Sequence, residues 1–312
     1  MVQQWLRNTG LALVCAVFLA LGAAPAHAAA CCVSASVFGI GRLLPWEPAA
    51  FGLLSSYANS TGRYDGDGIY RAFPAGYREA EWRTDMWAMA RVSEKWQAFG
   101  RVPWIVGYRS ADGAGDHTGQ GLGDVQLGAR WDTLLPGEVR RVPAIAFTAT
   151  VTTPTSTRAE QAKDLLAADA TGRGAWVLSM AAAVEKAWMP WFARAEGGVT
   201  LPLAFQRADT LESQRYGMGL QAGLSGGVEL RPDKLVLALQ LIADREASTL
   251  LGGVAQPNTV GVGGTASLAL SWKFAFSWTL MGNVATDAPG VWLGARNRPE
   301  RWAGSLGMRF GL

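Results

Sequence analysis

The sequence predicts an all-β chain closing into a transmembrane up-and-down antiparallel β-barrel of about twelve strands, from three observations: an export-type N-terminus, long stretches of strict apolar/polar alternation, and connections that alternate short with long. Each observation is set out below in chain order.

Arg7 is the only charge ahead of the apolar run Leu11 to Leu21, which gives way to Ala23-Ala24-Pro25-Ala26-His27-Ala28-Ala29-Ala30. A basic start, a short apolar core and an Ala-x-Ala ending mark residues 1–30 as a secretory signal peptide, cut after Ala28 or Ala30. The run is about half the ~20 residues a spanning helix needs. Cleavage removes Cys15 and leaves Cys31 and Cys32, two adjacent thiols that cannot staple a chain of this length. Cys31 is then either a lipidated N-terminus or part of a periplasmic tail.

Composition narrows the class. Past the signal no apolar run approaches 18 residues, so no transmembrane helix is expected. Only 17% of residues are charged while Trp numbers 14 and Gly 38, a balance foreign to disordered chains and low in charge for a soluble one. The net charge of +3 is spread without a Lys/Arg cluster, so no nucleic-acid partner is expected.

Alternation supplies the strands. They are expected near 50–60, 78–91, 94–108, 121–133, 141–153, 172–186, 190–206, 214–231, 234–247, 259–272, 274–286 and 300–312. The last is the clearest: Trp302, Gly304, Leu306, Met308, Phe310 and Leu312 fall on one face, with Ala303, Ser305, Gly307, Arg309 and Gly311 on the other. A helix would scatter both sets around its axis. Leu268, Leu270, Trp272, Phe274, Phe276, Trp278 and Leu280 repeat the pattern against Ser271, Lys273, Ser277 and Thr279. Short joints at Ser93-Glu94, Leu135-Pro136-Gly137-Glu138, Met189-Pro190, Arg231-Pro232-Asp233-Lys234 and Lys273 alternate with Gly- and Asp-rich loops at 61–77, 109–120, 154–171, 246–258 and 287–299, and a shorter one at 207–213. Short turns on the periplasmic side, long loops outside and both termini periplasmic is the arrangement of an outer-membrane barrel.

A soluble sandwich or barrel also alternates, with its apolar face inward. Long strands, polar faces rich in charge and a chain that stops inside its last strand favour the membrane, where closure leaves no edge in lipid. The domain layout expected is a signal peptide over 1–30, a periplasmic lead-in or lumen plug over 31–49, and the barrel over 50–312.

The residues expected to line the lumen are Glu81, Arg83, Asp85, Lys95, Arg101, Arg130, Arg194, Glu196 and Arg309. Their mixed signs argue against a strongly ion-selective ring. Trp82, Trp104, Trp131, Trp278 and Trp302 are expected at the membrane interface, where amphipathic rings form girdles. Phe38, Ile40, Leu43 and Leu44 lack strand alternation and are the apolar contacts of a plug, if the segment enters the lumen rather than packing on the rim. Gly39 and Gly41 permit tight turns, and Pro45 keeps the segment out of the first strand's ladder.

Catalytic chemistry is not expected. His117 in the loop Ala111 to His117 has no identifiable nucleophile beside it, and one histidine with two N-terminal cysteines makes no zinc set. Tyr64-Asp65-Gly66-Asp67-Gly68-Ile69 looks like a fragment of a calcium loop, but with Asp65 as position one, position twelve is Gly76 rather than a glutamate. Gly119-Gln120-Gly121-Leu122-Gly123 leads into a strand, not the helix a phosphate cradle requires. No cofactor or metal is expected. The partners expected are outer-membrane lipid, the outer-membrane assembly machinery and a small-molecule cargo.

The segment Arg91-Val92-Ser93-Glu94-Lys95-Trp96-Gln97, then Arg101-Val102-Pro103-Trp104, then Gly121-Leu122-Gly123-Asp124 through Trp131, resembles outer-membrane proteins of the meta-pathway of phenol degradation. Pro143-Ala144-Ile145-Ala146 and Thr153-Pro154-Thr155 are similar too, so the likeness runs over about residues 78–156. It implies transporter-like barrels that admit small, often aromatic or hydrophobic, compounds. Two functions follow: a passive channel for small molecules, or a closed barrel with a structural or surface-interaction role. The closed form would have its interior braced by pairs such as Glu81 with Arg101 or Arg194 with Glu196.

Overall fold

A computed structural model describes residues 41–134, 142–207, 209–287 and 293–312. The expected signal peptide, Cys31, Cys32, Phe38, Ile40 and the joint at Leu135-Pro136-Gly137-Glu138 lie outside the described residues.

Twelve long antiparallel strands form one closed ring. In chain order these are β1 (Ala49–Tyr64), β3 (Arg78–Arg91), β4 (Trp96–Ala111), β6 (Gln126–Leu134), β7 (Ala144–Thr152), β8 (Val177–Trp188), β9 (Trp191–Pro202), β12 (Gly219–Arg231), β13 (Leu235–Glu246), β16 (Gly261–Lys273), β17 (Trp278–Thr286) and β18 (Arg298–Gly311). Short strands decorate the long-loop end: β2 (Tyr70–Ala72), β5 (Gly115–Leu122), β10 (Phe205–Gln206), β11 (Ser213–Arg215), β14 (Leu250–Leu251) and β15 (Val254–Ala255). Each long strand pairs with its sequence neighbours, and β18 pairs back on β1 from Ala50↔Gly311 to Tyr64↔Arg298. That seam removes the last pair of edges, as a lipid environment demands.

The outward set is apolar and exposed: Phe51 and Leu53 on β1, Leu239 and Leu241 on β13, Leu306 and Met308 on β18. Phe310 lies 5.2 Å from Phe51 across the seam and 4.7 Å from Trp278 on β17, ring centre to ring centre, cross-strand aromatic contacts that stabilise the sheet. Trp82, Trp104, Trp131, Trp278 and Trp302 are all exposed on this outer face. Trp131 stacks on Trp96 at 5.8 Å, and Trp82 donates its indole N–H to Ser55 Oγ at 2.8 Å.

Three expectations change. The loop foreseen at 109–120 is mostly strand: β4 runs on to Ala111 and folds back as β5, from Trp104↔Leu122 to Ala111↔Gly115. Phe274 and Phe276 belong to no strand. β16 stops at Lys273, a turn occupies 274–277 and β17 starts at Trp278; because the turn has an even number of residues, the alternation passes through it unbroken. Finally, not every aromatic faces out. Trp87, Met89 and Phe99 share the inward face with Asp85 and Gln97, and form a buried cluster with Leu43 and Ala50.

Candidate functional site

The interior is the one place where this fold concentrates polar side chains away from bulk solvent, so it is the candidate site. Inward positions of β3, β4, β6, β8 and β9 carry its charges. Arg83 donates from Nε to both oxygens of buried Asp85 at 3.0 and 3.1 Å. Arg101 Nε stands 3.9 Å from the same carboxylate. Arg101 is not braced by Glu81: the register puts it opposite Trp87, whereas Glu81 lies opposite Gly107, six residues nearer the loops, and is exposed. The other expected pair forms, with Arg194 donating from Nη2 to Glu196 Oε2 at 2.7 Å. Lys95, in the turn before β4, donates to Thr133 O at 3.2 Å.

Toward the short-turn end these pairs merge into a dry layer. Arg130 donates to Asp132 Oδ1 at 3.0 and 2.8 Å, and Gln97 Nε2 donates to Asp132 Oδ2 at 2.8 Å. Glu185 accepts Arg42 Nη1 at 2.6 Å and lies 3.6 Å from Arg194. Gln97 shares the polar face of its strand with Lys95 and Arg101, as the alternation predicts. Asp132, Glu185 and Arg42 were not among the lumen residues expected; Glu185 and Asp132 sit at inward positions that parity alone identifies.

The segment before β1 bonds to four strands of the ring, β3, β4, β8 and β18. Leu43, 1% exposed, donates its N–H to Gln97 Oε1 at 2.9 Å on β4, while Arg42 reaches β8. Leu44 is buried, and its carbonyl accepts Arg91 Nη2 at 2.6 Å from β3. Glu47 closes the circuit on β18 by accepting both Nη groups of Arg309, the Nη1 bond measuring 2.9 Å. A cavity of about 280 Å³ remains beside this segment, lined by Leu44, Glu229, Ser271, Lys273, Met281 and Arg309.

The opposite end is narrowed by the long connection 153–176, which contains a 3-10 turn at Ala159–Gln161. It folds against the inward face of the β4–β5 hairpin. A Cβ on Gly107 would stand 2.4 Å from Ala168 O, and one on Gly119 would stand 2.3 Å from Asp169 N, so both close approaches require glycine. Arg109, on the same face, donates to Leu166 O at 2.6 Å, and His117 Nδ1 lies 2.6 Å from Asp164 Oδ2. The hydrogen bond to Asp164 holds the His117 imidazolium above its ordinary pKa, and that bond lowers the Asp164 carboxyl. Arg173 then spans the mouth to Glu246 of β13 with paired bonds of 2.8 and 2.7 Å, and Arg298 of β18 bonds Asp244 on that strand.

Asp65 uses both oxygens locally, accepting Asp67 N, Ile69 N and Arg71 Nε. Among the described residues no group of three or more metal-ligating side chains converges.

These features define a closed antiparallel β-barrel with an apolar outer belt, a polar interior and constrictions at both ends. The fold is that of known outer-membrane barrels. An outer membrane channel from Pseudomonas putida F1 superposes with a TM-score of 0.70 at 16% identity, covering 86% of this chain and 97% of that one. The translocator domain of an autotransporter from Neisseria meningitidis follows at 0.50 and 12% identity, over 84% of this chain and 88% of that one. No protein-family model matches the sequence, and no curated protein matches it.

Proposed function

We propose that the protein is an outer-membrane channel for small molecules, with both chain ends in the periplasm, whose inner end is stoppered by the segment up to Glu47. The observation that carries this reading is the placement of Arg42, Leu43 and Leu44 inside the ring, bonded to β8, β4 and β3, beside a cavity of about 280 Å³. A barrel held together by its own wall has no need of a separate segment across its lumen; a pore whose flow is restricted does. The meta-pathway resemblance supports small aromatic or hydrophobic cargo, and the likeness to a Pseudomonas outer membrane channel supports the channel class. Lipid contacts the aromatic belt, and the assembly machinery inserts the exported chain.

The dry layer of Arg130, Asp132, Glu185 and Arg194 favours a second reading, a closed barrel that conducts nothing. Planar-bilayer recordings and liposome swelling with the intact protein separate the two. Discrete current steps and solute-dependent swelling are expected; silence in both assays supports the closed barrel.

A further inference from the structure

Arg101 differs from its neighbours in the lumen. Arg83, Arg130, Arg194 and Arg309 each donate hydrogen bonds to a carboxylate of the wall or of the segment before β1. Among the described residues Arg101 donates none: its Nε is buried without a hydrogen-bond partner, and its contact with Asp85 is an ion pair at 3.9 Å. Asp85 is already taken by Arg83, so two guanidinium groups share one buried carboxylate. Glu81, the next acid along that face, is exposed toward the loops and forms no ion pair among the described residues.

The position is also particular. On β4 the next inward residue toward the short turns is Phe99, which packs on Leu43 in the buried cluster, and Trp87 lies directly across on β3. Arg101 therefore stands just above the floor made by the segment before β1, with its side chain 36% exposed to the lumen. Leu54, Pro103 and Ile105 flank Asp85 and Arg83 through the same register. A planar guanidinium whose Nε is buried without a hydrogen-bond partner and whose outer part faces the lumen recruits an anion that can accept two parallel N–H bonds.

We infer that Arg101, with Arg83 beside it, forms a lumen subsite for small organic carboxylates, the carboxylate on the guanidinium and the apolar body along Trp87 and Leu54. The inference rests on the channel reading and narrows it: the cargo held above the stopper carries a negative charge, where the resemblance alone implies only a small aromatic or hydrophobic compound.

Two measurements test it. Calorimetric titration of the detergent-purified full-length protein with benzoate reads the site without requiring conduction. Binding is expected, with the Kd raised tenfold or more in Arg101→Gln, restored only in part in Arg101→Lys, which keeps the charge but not the planar fork, and no binding of benzyl alcohol, the neutral analogue. Heat-modifiable mobility confirms that each variant has folded. Planar-bilayer currents of the same preparations are expected to be blocked by benzoate in the native protein and to escape block in Arg101→Gln. Failure of benzoate to bind, equal affinity in Arg101→Gln, or equal binding of benzyl alcohol overturns the subsite. Benzoate binding without any current leaves the subsite standing and overturns the channel reading alone.

Discussion

The two halves of the lumen wall are built differently. Through β3, β4, β6, β8 and β9 the inward positions carry Arg83, Asp85, Arg101, Arg130, Asp132, Glu185, Arg194 and Glu196 along the middle of the strands. Through β12, β13, β16, β17, β18 and β1 the corresponding middle positions are Ser225, Gln240, Ser267, Asn283, Ser305 and Ser56, with charge confined to the strand ends. The charged half grips the segment before β1 through Arg42 and Leu43, and the remaining cavity lies against the neutral half. The segment before β1 is thus tied to the charged wall through Arg42 and Leu43, and to the other wall only at its inner end, through Glu47 and Arg309.

The comparison breaks first at Glu185. Glu185→Ala removes the carboxylate shared by Arg42 and Arg194 in a dry layer, and loss of one partner of a buried pair costs about 3–5 kcal/mol. Ser267→Ala on the neutral half, which removes one buried uncharged hydroxyl, is expected to cost about 1 kcal/mol. Urea unfolding of both variants in micelles checks the ratio, and equal losses would erase the distinction between the walls.

The next contrast sets the outside of the barrel against the inside. Leu306→Arg puts a charge on the lipid face near the middle of β18, at about 2–4 kcal/mol, whereas Ser305→Arg points into a polar lumen. Heat-modifiable mobility of membrane fractions is expected to show poor assembly for the first and near-normal assembly for the second. Similar yields would contradict the facing assigned here.

A smaller effect concerns the outer constriction. His117 has a raised folded pKa, so its contribution is fully present below the unfolded imidazole value and is lost as pH rises through the folded one. Asp164 has a lowered pKa, so its contribution holds above the unfolded carboxyl value and is lost as pH falls through the folded one. Loop 153–176 is therefore held best in mildly acidic solution and loosens in alkaline solution. Limited proteolysis near Leu165 is expected to quicken at high pH in the native protein and to lose that dependence in His117→Ala; an unchanged pH profile in the variant would count against the latch.

The barrel itself was legible because alternation, strand length and the rhythm of connections all report one architecture. The pairing inside it was not. Glu81 and Arg101 looked like partners because both are polar inward residues on adjacent strands, but a register that sets Arg101 opposite Trp87 separates them. Register comes from how twelve strands close together, which no single strand encodes. A legible signal was passed over on β3, where the inward face runs Glu81, Arg83, Asp85, Trp87, Met89: the change from charged to apolar marks where the lumen stops being wet. The inward fold of loop 153–176 left only Gly107 and Gly119 as traces, and glycines are common throughout this chain.

The central claim is that the segment before β1 stoppers a channel, and single-channel conductance with residues 33–46 deleted tests it most directly. The deletion spares Glu47 and its bonds to Arg309, so the seam at β18 keeps its inner anchor. A barrel that assembles, as judged by heat-modifiable mobility, and conducts severalfold more current than the intact protein is the expected result. An assembled deletion protein that conducts no more than the intact one would contradict the account.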